Sequence, residues 1–309
     1  LEENINWSQS LNSPTHLSKN FLANSEFNKF NRIIAGSGEN KESKILSQPV
    51  IQNNILFFID AKSNILSYDL ENKKVLWRTR LVLKSDKDHS MGGGLAVYGN
   101  SVFINSPYGE VFSLNKNDGS IIWKRKVLSP LRSAPTIVEN RVLSLTIDNR
   151  LLVLDSNNGQ LIWSHEGIFN NTSIISSPKV AVDQNIIVVP YSNGDYFSFN
   201  LTNGVELWKG SIVDLEQTKT TNTFNDIDAS PVFINNSVII ASTTGRLISL
   251  DKRNGSKNWD RFLNTSQTPL ANGNSIYLIN NNKEIINLDI KNGKIRWTTK
   301  IEENLSQGY

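Results

Sequence analysis

The chain has 309 residues, 38% of them apolar, with 32 basic against 29 acidic side chains. That is enough for a large core, while a net charge of +3 spread along the chain is too weak to call for nucleic acid. The absence of cysteine excludes disulfides and thiolate metal sites, and no apolar run reaches the roughly 18 residues of a spanning helix.

Residues 1–27 show no period. Trp7, His16 and Phe21 sit there among Ser, Asn and Pro, as in a strap lying over a folded domain or a tether leading to it. The strap is the better reading, because exposed aromatics in a free linker are unfavourable. The segment KFNRIIAGSG (29–38) then reads as a lone strand over 28–34, with Phe30 standing 47 residues before Trp77.

From residue 65 a thirteen-residue phrase ending in Trp occurs six times: ILSYDLENKKVLW (65–77), VFSLNKNDGSIIW (111–123), LLVLDSNNGQLIW (151–163), YFSFNLTNGVELW (196–208), LISLDKRNGSKNW (247–259) and IINLDIKNGKIRW (285–297). Asp or Asn precedes each Trp by eight residues and again by five, and Gly follows that second position in five copies, with Lys73 in the first. Alternating apolar residues such as Leu152, Leu154, Leu161 and Trp163 predict two half-buried strands. Between them Asn/Asp-Gly supplies the φ > 0 positions of a tight hairpin turn, so Lys73 predicts a strained or longer first turn. A second hairpin precedes each phrase, opened by Pro49, Pro135, Pro178, Pro231 or Pro269, where a missing N–H costs least. Each unit is therefore four antiparallel strands. Steps of 46, 40, 45, 51 and 38 residues between Trp residues predict an all-β propeller of about six blades.

Trp77, Trp123, Trp163, Trp208, Trp259 and Trp297 read as structural, each buried between neighbouring blades and worth about 3–5 kcal/mol on truncation. The 28–34 strand resembles an outermost strand with Phe30 in the Trp place, and the twelve residues after Trp297 offer it no three partner strands. The expectation is a 1–27 strap and a 28–309 propeller that is incomplete at its C-terminal end.

Chemistry is sparse. His16, His89 and His165 share no metal-ligand spacing and read as surface loop residues. Gly92, Gly93 and Gly94 read as close backbone packing near the axis. Asp226 and Asp228 lie one residue apart in a loop, which favours turn capping or a binding contact over an acid–base pair. No catalytic, metal or cofactor site is expected.

The phrase resembles the repeat of the quinoprotein-like (PQQ-type) β-propellers across nearly the whole chain from Phe30. Two stretches, 92–137 and 225–251, resemble the BamB family within it, the lipoprotein subunits of the outer-membrane β-barrel assembly (BAM) machinery. That resemblance implies an eight-bladed ring at the periplasmic face of the outer membrane and a lipid anchor on an N-terminal Cys absent from this sequence. It also implies no catalysis, binding to the POTRA domains of BamA, and contact with unfolded outer-membrane proteins. Asp226 and Asp228 match the family's acidic partner-binding pair; Ile174 and Ile175 match its aliphatic element, without the Arg that accompanies it. The blade order makes 164–177 and 209–229 adjacent inter-blade loops on one rim, the second being the longest. A PQQ-dependent dehydrogenase would need a calcium ion, a catalytic carboxylate and often a Cys pair. A peptide- or glycan-binding propeller is the remaining alternative.

Overall fold

A computed structural model describes residues 6–17, 33, 35–39, 44–81, 93–131, 133–168, 178–212, 227–242, 244–265 and 267–301. These hold twenty-four strands, β1 to β24 in chain order, forming six four-stranded antiparallel sheets in which each strand pairs with its sequence neighbour. Each sheet is a blade. The innermost strands are β1 (Val50–Gln52), β5 (Gly94–Tyr98), β9 (Thr136–Val138), β13 (Ala181–Asp183), β17 (Val232–Ile234) and β21 (Leu270–Asn272). The outermost are β4 (Lys74–Arg80), β8 (Ile121–Lys126), β12 (Leu161–Glu166), β16 (Glu206–Ser211), β20 (Lys257–Phe262) and β24 (Ile295–Lys300). Pro49, Pro135, Pro231 and Pro269 stand directly before an innermost strand, and Gly94 opens β5 where an added Cβ would lie 2.7 Å from the Ala134 Cα.

The turn inside each phrase explains the repeated Asp and Asn. In the third blade the Asp155 carboxylate accepts from the Asn157 N–H at 2.8 Å and the Asn158 side chain accepts from the Gln160 N–H at 2.9 Å. The Gly159 N–H closes the loop on the Asp155 carbonyl at 2.8 Å. This is a four-residue turn rather than the Asn-Gly pair expected. Asn158 is not left-handed; only the fourth residue is, with φ of +71° at Gly159. Lys73 adopts the same region at +53°, so the first turn is strained rather than longer.

Glycine has a second duty here. An added Cβ at Gly119, Gly159, Gly204, Gly255 or Gly293 would sit 2.5–2.7 Å from an indole carbon of Trp77, Trp123, Trp163, Trp208 or Trp259 respectively. Each Trp thus lies under the turn of the next blade, and its Nε1–H donates to a carbonyl in that turn, as from Trp259 to Ile290 at 2.8 Å. Five apolar clusters result, one per seam between consecutive blades, such as Trp77 and Phe57 with Leu95 and Leu114.

Trp297 departs from expectation. It is 45% exposed, and every residue of β24 is exposed, because no turn among the described residues covers that face. The proposed 28–34 strand lies outside the described residues apart from Ile33. Residues 35–38 are not in a strand; there the Ser37 N–H donates to Asp60 at 2.9 Å.

Residues 6–17 run across the innermost strands. The Trp7 carbonyl accepts from the Ile51 N–H, Ser8 from Val97, the Gln9 amide oxygen from Ile137, Pro14 from Val182 and Thr15 from Phe233. Ile51, Val97, Ile137, Val182 and Phe233 pair with Leu56, Val102, Val142, Ile187 and Val238, so they hold one equivalent place in five consecutive blades. At that place the N–H points away from the hairpin partner, and the segment fills an edge that would otherwise stay open.

Candidate functional site

Antiparallel order sends every connection between blades, and every loop between a blade's two middle strands, to the same face. The roots of these connections are stitched together. The Lys179 N–H donates to Ser230 Oγ at 3.0 Å, the Ser230 N–H donates to Thr268 Oγ1 at 2.9 Å, and Thr136 Oγ1 donates to the Val180 carbonyl at 2.7 Å. A row of four neighbouring connections therefore rises from one rigid floor.

The strands run further than the sequence suggested. β12 continues to Glu166 and β16 to Ser211, because the outermost strand extends three residues past its Trp to pair fully with the strand inside it. The connections are thus 167–180 and 212–231, not 164–177 and 209–229, and the second remains the longest between consecutive blades. Ile174, Ile175 and Asp226 lie outside the described residues. Asp228 is half-buried between the fully buried Ile227 and Ala229, two residues before Ser230 in the stitched floor.

Two groups at this floor carry no sequence signal. Lys179 is half-buried, and desolvation pulls its pKa down. His16, expected on the surface, is only 3% exposed, and its Nδ1–H donates to the Pro231 carbonyl at 2.7 Å. Burial is the main cause that lowers its pKa to about 4; the carbonyl bond opposes the shift and the nearby Lys179 charge adds to it. His165 is no loop residue either. It lies on β12 with Nδ1 2.7 Å from the Tyr191 hydroxyl, ringed by Phe197 and Phe199, and desolvation lowers its pKa. His89 lies outside the described residues.

A calcium-bound quinone needs a convergent set of carboxylates. Among the described residues no three His, Asp or Glu side chains converge on a point. The strap presents backbone carbonyls, one amide side chain and a buried neutral imidazole to the inner strands. These are neutral donors, and among the described residues no carboxylate set joins them, so the donor set does not fit such a cofactor.

The family profile described as "Outer membrane protein assembly factor BamB" matches residues 61–299. The outer membrane protein assembly factor BamB of Yersinia pestis is 26% identical over 219 residues, which cover 69% of this chain and 56% of that protein. The chain spans about half the length of the curated relatives it matches. Among solved structures, BamB from Moraxella catarrhalis superposes with a TM-score of 0.71 at 16% identity, covering 87% of this chain and 78% of that one. A europium-containing methanol dehydrogenase superposes with a TM-score of 0.70 at 12% identity, covering 95% and 78%. At such identities the superpositions speak for the propeller fold alone.

Proposed function

The chain belongs to the family of the outer membrane protein assembly factor BamB, and on that premise we propose that it is a non-catalytic binding propeller. It serves the assembly and insertion of β-barrel proteins at the periplasmic face of the outer membrane, as part of the BAM complex, by docking on the POTRA domains of BamA. In this reading residues 1–27 act as the strap and 28–309 as the propeller.

The observation that carries the proposal is the stitched row of roots Thr136–Val180, Lys179–Ser230 and Ser230–Thr268 beneath the longest connection. Long connections on a rigid floor are where binding side chains concentrate. Ile174 and Ile175 supply apolar contact from the third-to-fourth connection. Asp226 and Asp228, on the next one, meet a basic patch of the partner and orient it. The misfit of the donor set to a calcium-bound quinone supports a binding role over a dehydrogenase.

The test is capture of the full chain by purified BamA POTRA domains. Reversal of both charges, Asp226→Lys with Asp228→Lys, is expected to weaken capture about tenfold or more while the melting temperature holds. Normal binding by that double variant would remove the two carboxylates from the interface.

A further inference from the structure

We infer that the same face carries a second element of the docking surface: a cationic cleft between the second and third blades that receives an acidic side chain from an extended partner segment. Leu128, which lines it, and Ile168, tied through Asn149 to its third-blade wall, seat the apolar side chains that accompany that acid. The inference rests on the docking reading above and specifies the chemistry of the partner.

The cleft has a volume of about 230 Å³ and is lined in part by Arg125 and Lys126 at the end of β8, Leu128 beyond it, and Asp148 and Arg150 of the third blade. Small-molecule and cofactor sites run roughly 300–1,000 Å³, so this recess suits a single side chain better than a free ligand. Three cations face one carboxylate, and that carboxylate already accepts from the Thr146 hydroxyl. Arg150 is bridged at 2.7 Å to Glu166, whose side chain is mostly exposed, and Arg125 gives one N–H to the Gly159 carbonyl at 3.1 Å. Lys126 has no ion pair among the described residues. An acid entering the cleft therefore finds an uncommitted ammonium and the outer edges of two guanidinium groups.

Both walls are rigid. The Val127 N–H donates to the Gly109 carbonyl at 2.8 Å and the Ile147 N–H to the Pro130 carbonyl at 3.0 Å, which fixes the loop bearing Leu128. On the other side the Gly167 N–H donates to the Asn149 carbonyl at 2.8 Å, and Asn149 Nδ2 donates to the Ile168 carbonyl at 2.7 Å. Leu128 and Ile168 are 89% and 72% exposed, and each stands two residues past its outermost strand. A lone exposed leucine means little. Two at equivalent places, held on fixed backbone beside a cationic recess, match an apolar–acidic–apolar stretch of extended chain. A cationic cleft with apolar groups fixed beside it suits such a segment more than a flat anionic lipid surface, which scattered surface lysines would engage equally well.

The experiment titrates the full chain with BamA POTRA domains by calorimetry, comparing wild type with Lys126→Glu, Lys126→Arg, Leu128→Ser and Ile168→Ser. Lys126→Glu and each serine variant are expected to weaken binding about tenfold, with Lys126→Arg near wild type and all melting temperatures unchanged. If these variants bind like wild type while Asp226→Lys with Asp228→Lys loses binding, the cleft is overturned and the docking reading stands. Absence of wild-type binding overturns both. Equal binding by Lys126→Glu and Lys126→Arg also overturns the cleft, since charge would then play no part.

Discussion

The seam between the fifth and sixth blades and the outer face of the sixth are made by the same thirteen-residue phrase, ending in Trp259 and Trp297. Trp259 is 6% exposed, lies under Gly293 and donates to Ile290; Trp297 is 45% exposed, with Tyr277 tilted beside it at 6.1 Å. The same repeat pattern gives opposite burial. The phrase therefore encodes half of a joint, and the other half is the glycine turn of the blade that follows.

Truncation is the strongest way to break that contrast. Trp259→Ala should cost about 3–5 kcal/mol in urea unfolding, since it empties the joint and strands the turn carbonyl, whereas Trp297→Ala should cost less than about 1 kcal/mol. Equal losses would mean that the indole acts within its own blade instead of across the seam. The next effect sharpens the comparison at the axis, where the strap reaches five blades. His16 has a folded pKa near 4 against 6.5 when unfolded, so the unfolded chain binds the proton first. Its contribution is whole above pH 6.5 and drains away as pH falls toward 4, by on the order of 3 kcal/mol. Unfolding midpoints at stepped pH should fall more steeply for wild type than for His16→Gln. Smallest is Lys73→Gly, which relieves a left-handed lysine and should raise stability by about 0.5–1 kcal/mol in the same assay.

The blades were legible because a period is a pairing rule: the phrase carries two strands, their capped turn and the indole in one short stretch. Asn158 was misread because its role is to accept from Gln160, not to turn left-handed, and both roles favour the same residue. Trp297 was misread because burial belongs to a neighbour that its own sequence cannot reveal. His16 was missed for another reason. The strap engages the inner strands largely through main-chain carbonyls, which any residue carries, so its sequence marks no single side chain as buried. At the candidate site, connection length and order were readable, while the root contacts of Lys179 and Ser230 depend on distant backbone meeting at one face.

The strap also sets an order of events. Thr15 bonds to Phe233, so a segment that precedes all six blades in the sequence finds this partner only after the fifth blade exists. Pairings so remote in sequence are slow to form, because the chain between them must be ordered first. Docking of residues 6–17 is then a late step, and once made it joins five blades that, among the described strands, otherwise touch their neighbours in the ring. Such a segment works as a kinetic latch: it adds little to the speed of folding and much to the barrier against coming apart.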